Sequence, residues 1–205
     1  MPPERESMNS MPGWAGSFEK AAACIVLLAA LGSVAQARVY LSQQEALKLA
    51  FPPPARVERK TLFLDENEAS SVEKEAGAKL PGRVFPYYVG RAEGKVTGYA
   101  YFDTHLVRTL PETVMILLSP DGKIRKVELL SFSEPEDYLP TSRWLQQFEG
   151  RSLQDLGAGR GVRTLTGATL SSRAVTRAAR RILALHRLFV APPPKAPEKP
   201  SASRP

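Results

Sequence analysis

Residues 114–130, Val-Met-Ile-Leu-Leu-Ser-Pro-Asp-Gly-Lys-Ile-Arg-Lys-Val-Glu-Leu-Leu, decide the fold. Two apolar, β-branched runs flank Pro120-Asp121-Gly122-Lys123, and Asp-Gly supplies the positive φ that a tight hairpin turn requires. A hairpin pairs its strands antiparallel, so the sheet around it is expected to be antiparallel. On the second strand Ile124, Val127 and Leu129 do not alternate strictly with Arg125, Lys126 and Glu128, which predicts a bulge or burial on both faces.

Upstream, residues 57–64, 84–89, 96–102 and 113–118 read as strands, with turn chemistry at residues 90–94 and at Leu110-Pro111. Ser42 caps a short helix ended by Pro52-Pro53-Pro54; Asp65 opens a second one that runs to Ala76 and stops at Gly77. Downstream, Ser142 caps a helical turn on which Trp144 and Phe148 form a packing pair, and Gly150 closes it. A glycine-rich connector over residues 157–161 leads to a short strand over 162–165. Ser171 or Ser172 then caps the longest helix, which ends near Val190. Ala174, Val175, Ala178, Ile182, Leu185 and Phe189 recur at helical spacing as its buried stripe, and Arg173, Arg177, Arg180 and Arg181 are expected on its solvated sides. The pattern is α+β: an antiparallel β-sheet flanked by helices.

Of 205 residues, 43% are hydrophobic and 24% charged, which suits one domain with trimmings at both ends. Residues 1–37 read as a signal peptide or an N-terminal membrane anchor. An uncharged run from residue 21 to 37 follows Lys20 and closes on Ala35-Gln36-Ala37, the small-x-small form that signal peptidase accepts. Its apolar heart, residues 21–31, is short for a membrane span, which favours cleavage over a retained anchor. Residues 38–82 form a helix and strand extension, 83–190 the main domain, and 191–205 a Pro-rich tail expected to be disordered.

The one cysteine, Cys24, lies in the leader, so the rest of the chain has no thiol for disulfides, thiolate metal ligands or nucleophilic catalysis. His105 and His186, the two histidines, make a poor metal site, and none is expected. Redox chemistry would therefore need an organic cofactor. The net charge of +7 is scattered or gathered on one helix, which suits a solvated face or anionic lipid headgroups better than nucleic acid.

Leu165-Thr166-Gly167-Ala168-Thr169-Leu170-Ser171-Ser172 is a turn of small residues and hydroxyls entering a long helix. First-turn N–H groups and the positive end of the helix dipole favour an anion there, and Gly167 and Ala168 let one come close. The bland alternative is an N-cap and nothing more.

Extended through Arg173-Ala174-Val175, this stretch resembles the flavinylation motif of the FMN-binding domain family, which includes the G subunit of the Rnf electron-transport complex and the C subunit of the sodium-translocating NADH:quinone oxidoreductase. That motif runs Asp, two variable residues, Ser or Thr, Gly, Ala, Thr, and its last threonine carries FMN as a phosphoester. The resemblance implies that Thr169 is the acceptor, with Thr166, Gly167 and Ala168 shaping the turn and Leu170 and Ser171 completing it. Residues 131–135, Ser-Phe-Ser-Glu-Pro, are similar to a family loop near the flavin and add Glu134. One departure stands out: Arg163 occupies the place of the motif aspartate. Its loss bears on attachment, and an arginine there could instead pair with the flavin phosphate, so covalent and noncovalent binding both stay open.

The resemblance further implies an exported FMN transferase of the alternative thiamine biosynthesis type as partner, using FAD as donor. It also implies a membrane redox partner, a quinone-linked protein or a cytochrome, and a location in the periplasm or at the outer face of the cytoplasmic membrane. An exported binding or assembly module that kept the fold and lost its flavin is the alternative. Tyr87, Tyr88, Tyr99, Tyr101 and Phe102 are expected in the core, with flavin stacking as the second reading. His105 is expected in a surface loop, with proton handling for a reduced flavin as its alternative. No acid–base pair is identified, and no catalytic residue is assigned.

Overall fold

A computed structural model describes residues 38–157 and 161–191; the leader, most of the tail and the middle of the glycine-rich connector lie outside the described residues. The elements run β1 (Arg38–Val39), α1 (Gln43–Ala50), β2 (Arg56–Phe63), α2 (Glu66–Ala76), β3 (Val84–Ala92), β4 (Lys95–Leu106), β5 (Pro111–Leu118), β6 (Ile124–Phe132), α3 (Ser142–Leu145) and α4 (Thr169–Leu185). The six strands form one antiparallel sheet in the order β1-β6-β5-β4-β3-β2. Strands from residues 38–82 thus complete both of its edges.

Both faces of the sheet are covered. Met115, Leu117 and Leu130 pack with Ala46, Ala50 and Phe51 of the α1 segment, whereas Val114, Ile116, Leu118 and Val127 pack with α2, α3 and α4. This explains the uninterrupted apolar run of β5: successive side chains point to opposite faces, and each face has a layer to meet. The irregular pattern of β6 has the expected cause as well, since the β5–β6 register shifts at Thr113/Val114 and again at Leu117/Leu118. Gly122 adopts φ +78° in the hairpin turn.

Ser42 and Asp65 both form complete capping boxes, with Glu45 and Glu68, and Gly77 ends α2 in the left-handed conformation. Trp144 and Phe148 meet edge to face with centroids 5.3 Å apart.

Five local expectations are corrected. The turn between β3 and β4 is tighter than residues 90–94: Gly90 lies inside β3, where Phe51 occupies the space a Cβ would need, and the chain reverses at Glu93-Gly94. The cap of α3 is Thr141, whose hydroxyl accepts from the Trp144 N–H, one residue before Ser142. Residues 162–165 pair with no strand and form a loop. The long helix starts at Thr169, ahead of Ser171 and Ser172, and continues past Leu185 as a π-helical turn over His186–Val190. Finally, α4 is not solvated along all of its arginines. Arg181 is buried, and Arg180 reaches the carbonyls of Ala76 and Leu156. Among the described residues no helix is long and apolar enough to cross a membrane.

Candidate functional site

The motif residues come together at the N-terminus of α4. Ala168 N–H donates to the Leu165 carbonyl at 3.2 Å, and Gly167 takes φ +86°, a conformation that a side chain would strain. One hydroxyl staples this turn: Ser172 Oγ accepts from Leu165 N–H at 3.1 Å and donates to the Ala168 carbonyl at 2.8 Å. Ser171 Oγ donates to the Tyr138 carbonyl at 2.6 Å, tying the helix to the segment after β6. Both serines are buried and their hydroxyls committed.

Thr169 differs. It is half-buried, and its hydroxyl reaches only the Leu165 carbonyl, at 3.5 Å. Thr166 and Gly167 are exposed, Ala168 is buried, and Leu170 is 46% exposed, a large apolar side chain left open at the helix start.

The helix end itself is electrostatically open. Helices α1 and α2 carry side-chain caps and acidic first turns; the 17-residue α4 has Ala168 at its N-cap, no side-chain cap bond and no acidic residue in its first turn. Its leading N–H groups have no intrahelical acceptors, and the dipole concentrates positive potential on them. An anion at this position would supply the missing acceptors, so the residues present fit a phosphate-bearing group.

Glu134, just after β6, is buried. Its Oε1 accepts from the N–H groups of Arg108, Thr109 and Leu110 at 3.1, 2.8 and 3.0 Å, clamping the loop between β4 and β5. Burial works to raise its pKa, and the three backbone donors outweigh it and hold the carboxyl below its ordinary value. Arg108 in turn places its guanidinium 5.3 Å from the centre of the Tyr138 ring. Arg163 is exposed; its N–H donates to Gln147 Oε1 at 3.0 Å and its carbonyl accepts from the Trp144 indole.

Sequence reasoning missed a buried ionic group between α4 and the sheet. Arg181 donates to both oxygens of Asp103, His105 Nδ1 bonds Asp103 at 2.8 Å, and His105 Nε2 lies 3.3 Å from Glu112. Burial works to lower the His105 pKa, but Asp103 and Glu112 overcome it and raise it above the ordinary value; Glu112 is raised by burial, and Asp103 is held low against burial by His105 and Arg181. His105 is therefore not a surface-loop residue. β4 runs on to Leu106, and its side chain is 10% exposed. The signal was present in Asp103-x-His105, two alternate residues that share one strand face, directly across from Glu112 and Val114. Tyr101 is core as expected and bonds His186 Nδ1 at 2.8 Å. Among the described residues no cluster of three or more His, Cys, Asp or Glu could hold a metal ion.

Residues 110–184 match the family described as the FMN-binding domain. The match takes in β5, β6, the Glu134 segment and nearly all of α4. No curated protein matches the chain.

Proposed function

We propose, from the match of residues 110–184 to the FMN-binding domain family, that the protein is an exported flavoprotein carrying FMN as a phosphoester on Thr169. Its role is electron transfer at or outside the cytoplasmic membrane. One observation carries the choice of residue: of the hydroxyls on the first turn of α4, those of Ser171 and Ser172 are buried and engaged, while that of Thr169 is half-exposed and held by a single long bond.

In this reading the uncapped N–H groups of α4 hold the phosphate, Gly167 and Ala168 leave room for it, and Leu170 offers apolar surface beside it. An exported FMN transferase makes the bond: the Thr169 oxygen joins the FMN phosphorus of FAD as the pyrophosphate linkage breaks, AMP leaves, and the hydroxyl proton passes to solvent. When bound, the flavin supplies one- and two-electron chemistry, and the protein supplies position and electrostatics. Its electrons would come from or go to a quinone-linked membrane protein or a cytochrome.

Coexpression of the full chain with an exported flavin transferase tests this. Fluorescence that survives acid denaturation and gel electrophoresis, and that disappears in Thr169→Ala, is the expected result. A colourless wild-type protein of bare polypeptide mass would sink it. Arg163 motivates a second reading, a binding or assembly module with the same fold and no covalent flavin, because an exposed cation stands where the resemblance calls for a carboxylate.

A further inference from the structure

We propose that Arg108 is a further cofactor-binding residue, which sets its guanidinium against the ring end of a flavin mononucleotide tethered at Thr169 and favours the cofactor in its reduced state. The proposal rests on the functional reading above and adds a residue outside the residues 110–184 that match the family.

Arg108 is exposed, yet it is held at both ends. Its N–H is one of the three that Glu134 clamps, and its guanidinium carbon sits 5.3 Å from the centre of the Tyr138 ring. Tyr138 is itself pinned to the first turn of α4 through Ser171. Among the described residues Arg108 forms no ion pair with a carboxylate. An arginine on a surface ordinarily loses much rotamer freedom when it binds something; this one has been ordered beforehand, with its charge left unspent.

Arg108 lies in the loop between β4 and β5, whose packing ties it to α4. Val107 packs with Ala174, and Ala174 lies one turn beyond the half-exposed Leu170 on the same face of α4. Through Val107 against Ala174 and through Tyr138 against Ser171, the Arg108 segment is held to the first two turns of α4. With the N–H groups at the helix start serving a phosphate at Thr169, the proposal gives Arg108 the other, ring end of the tethered group. A flavin ring gains negative charge on two-electron reduction at neutral pH, and a fixed cation beside it stabilises that state over the oxidised one.

The test uses the full chain loaded by the transferase or, if the wild type takes no covalent flavin, saturated with free FMN. Midpoint potentials are measured for wild type, Arg108→Gln and Arg108→Lys, with thermal melts to show that each is folded. Loss of about tenfold in preference for reduced flavin is expected for Arg108→Gln, a fall of ~30 mV for a two-electron couple. Arg108→Lys, which keeps the charge and loses the planar fork, should recover part of it. An unchanged potential in a folded, flavin-loaded Arg108→Gln overturns the role of Arg108 and leaves Thr169 untouched. A wild-type chain that takes up FMN by neither route overturns both.

Discussion

Arg181, thirteenth residue of α4, donates from one guanidinium nitrogen to both carboxylate oxygens of Asp103 in the middle of the sheet, at 2.8 and 2.9 Å, with both side chains less than a tenth exposed. The pair bolts the helix that presents Thr169 to the strand beneath it. Removing Arg181 leaves Asp103 charged in a dry place with His105 as its remaining partner, and the lost compensation costs more than the pair contributes when intact. Arg181→Met should lose about 3–5 kcal/mol of unfolding free energy. Arg181→Met combined with Asp103→Leu should recover a large part of that, measured by urea denaturation at one pH. Equal losses in single and double variants would show that the ion pair itself is stabilising.

Stability should fall in mild acid because of His186. Burial lowers its pKa from 6.5 to about 4, so the folded protein refuses a proton that the unfolded chain accepts. The contribution is complete above pH 6.5 and drains away as pH drops towards 4, by roughly 3 kcal/mol. Unfolding curves for wild type and His186→Gln between pH 4 and 7.5 should differ in slope in that window. Parallel curves would exclude His186 as the cause.

His105 has the opposite sign. Its raised folded pKa means stability that is full below 6.5 and lost as pH climbs through the folded value, and the raised pKa of Glu112 works in the same direction from 4.5 upward. His105→Gln should therefore flatten the decline of stability on the alkaline side. Nuclear magnetic resonance titration of the imidazole offers the direct check, and a midpoint at or below 6.5 contradicts the geometry.

Ser172→Ala leaves Thr169 in place and removes the hydroxyl that holds Leu165 N–H and the Ala168 carbonyl together. A cost of about 1–2 kcal/mol is expected from the lost hydrogen bonds. Under the proposed attachment at Thr169, transferase loading should slow as well, because the turn that bears Thr169 is no longer fixed. Normal loading kinetics in a measurably destabilised Ser172→Ala would mean that the turn forms without this staple.

Glu134→Ala should release residues 108–110. Amide hydrogen exchange at Arg108, Thr109 and Leu110 is the readout, with exchange faster by tenfold or more if each N–H loses a charge-assisted bond, ~1.5 kcal/mol or above. Unaltered protection would show that the loop is held by something other than the carboxylate.

Arg163→Asp restores the motif carboxylate at an exposed position, so its effect on folding should be near zero. Flavin incorporation by the transferase should increase. If incorporation is already complete in the wild type and drops in the variant, the arginine is the residue that this chain uses in place of the aspartate.

Much of the fold was legible because its signals are local. Asp121-Gly122 specified the hairpin, Ser42 and Asp65 their capping boxes, and Gly77 a helix stop, each through contacts within four residues in sequence. The start of α4 misled for the same reason. Ser171 and Ser172 have the chemistry of N-caps, but Ser171 is drawn to Tyr138, 33 residues away, and Ser172 turns back to Ala168 and Leu165, so the helix opens ahead of them at Thr169. The four arginines of α4 looked alike in sequence, and only the crossing of that helix over β4 distinguished the buried Arg181 from the half-buried Arg180 and the exposed Arg173 and Arg177.

By itself, then, the order of residues determined an antiparallel sheet, two capped helices, a long amphipathic helix and, at its head, a turn of small residues and hydroxyls that resembles a flavin attachment motif except at Arg163. Tertiary structure alone decided which hydroxyl of that turn stays available, that Glu134 clamps the loop over residues 108–110, and that Asp103, His105, Glu112 and Arg181 meet. Turns and caps are settled by groups a few bonds apart, whereas burial and charge pairing depend on which distant strands and helices come into register, and no short stretch of sequence carries that information.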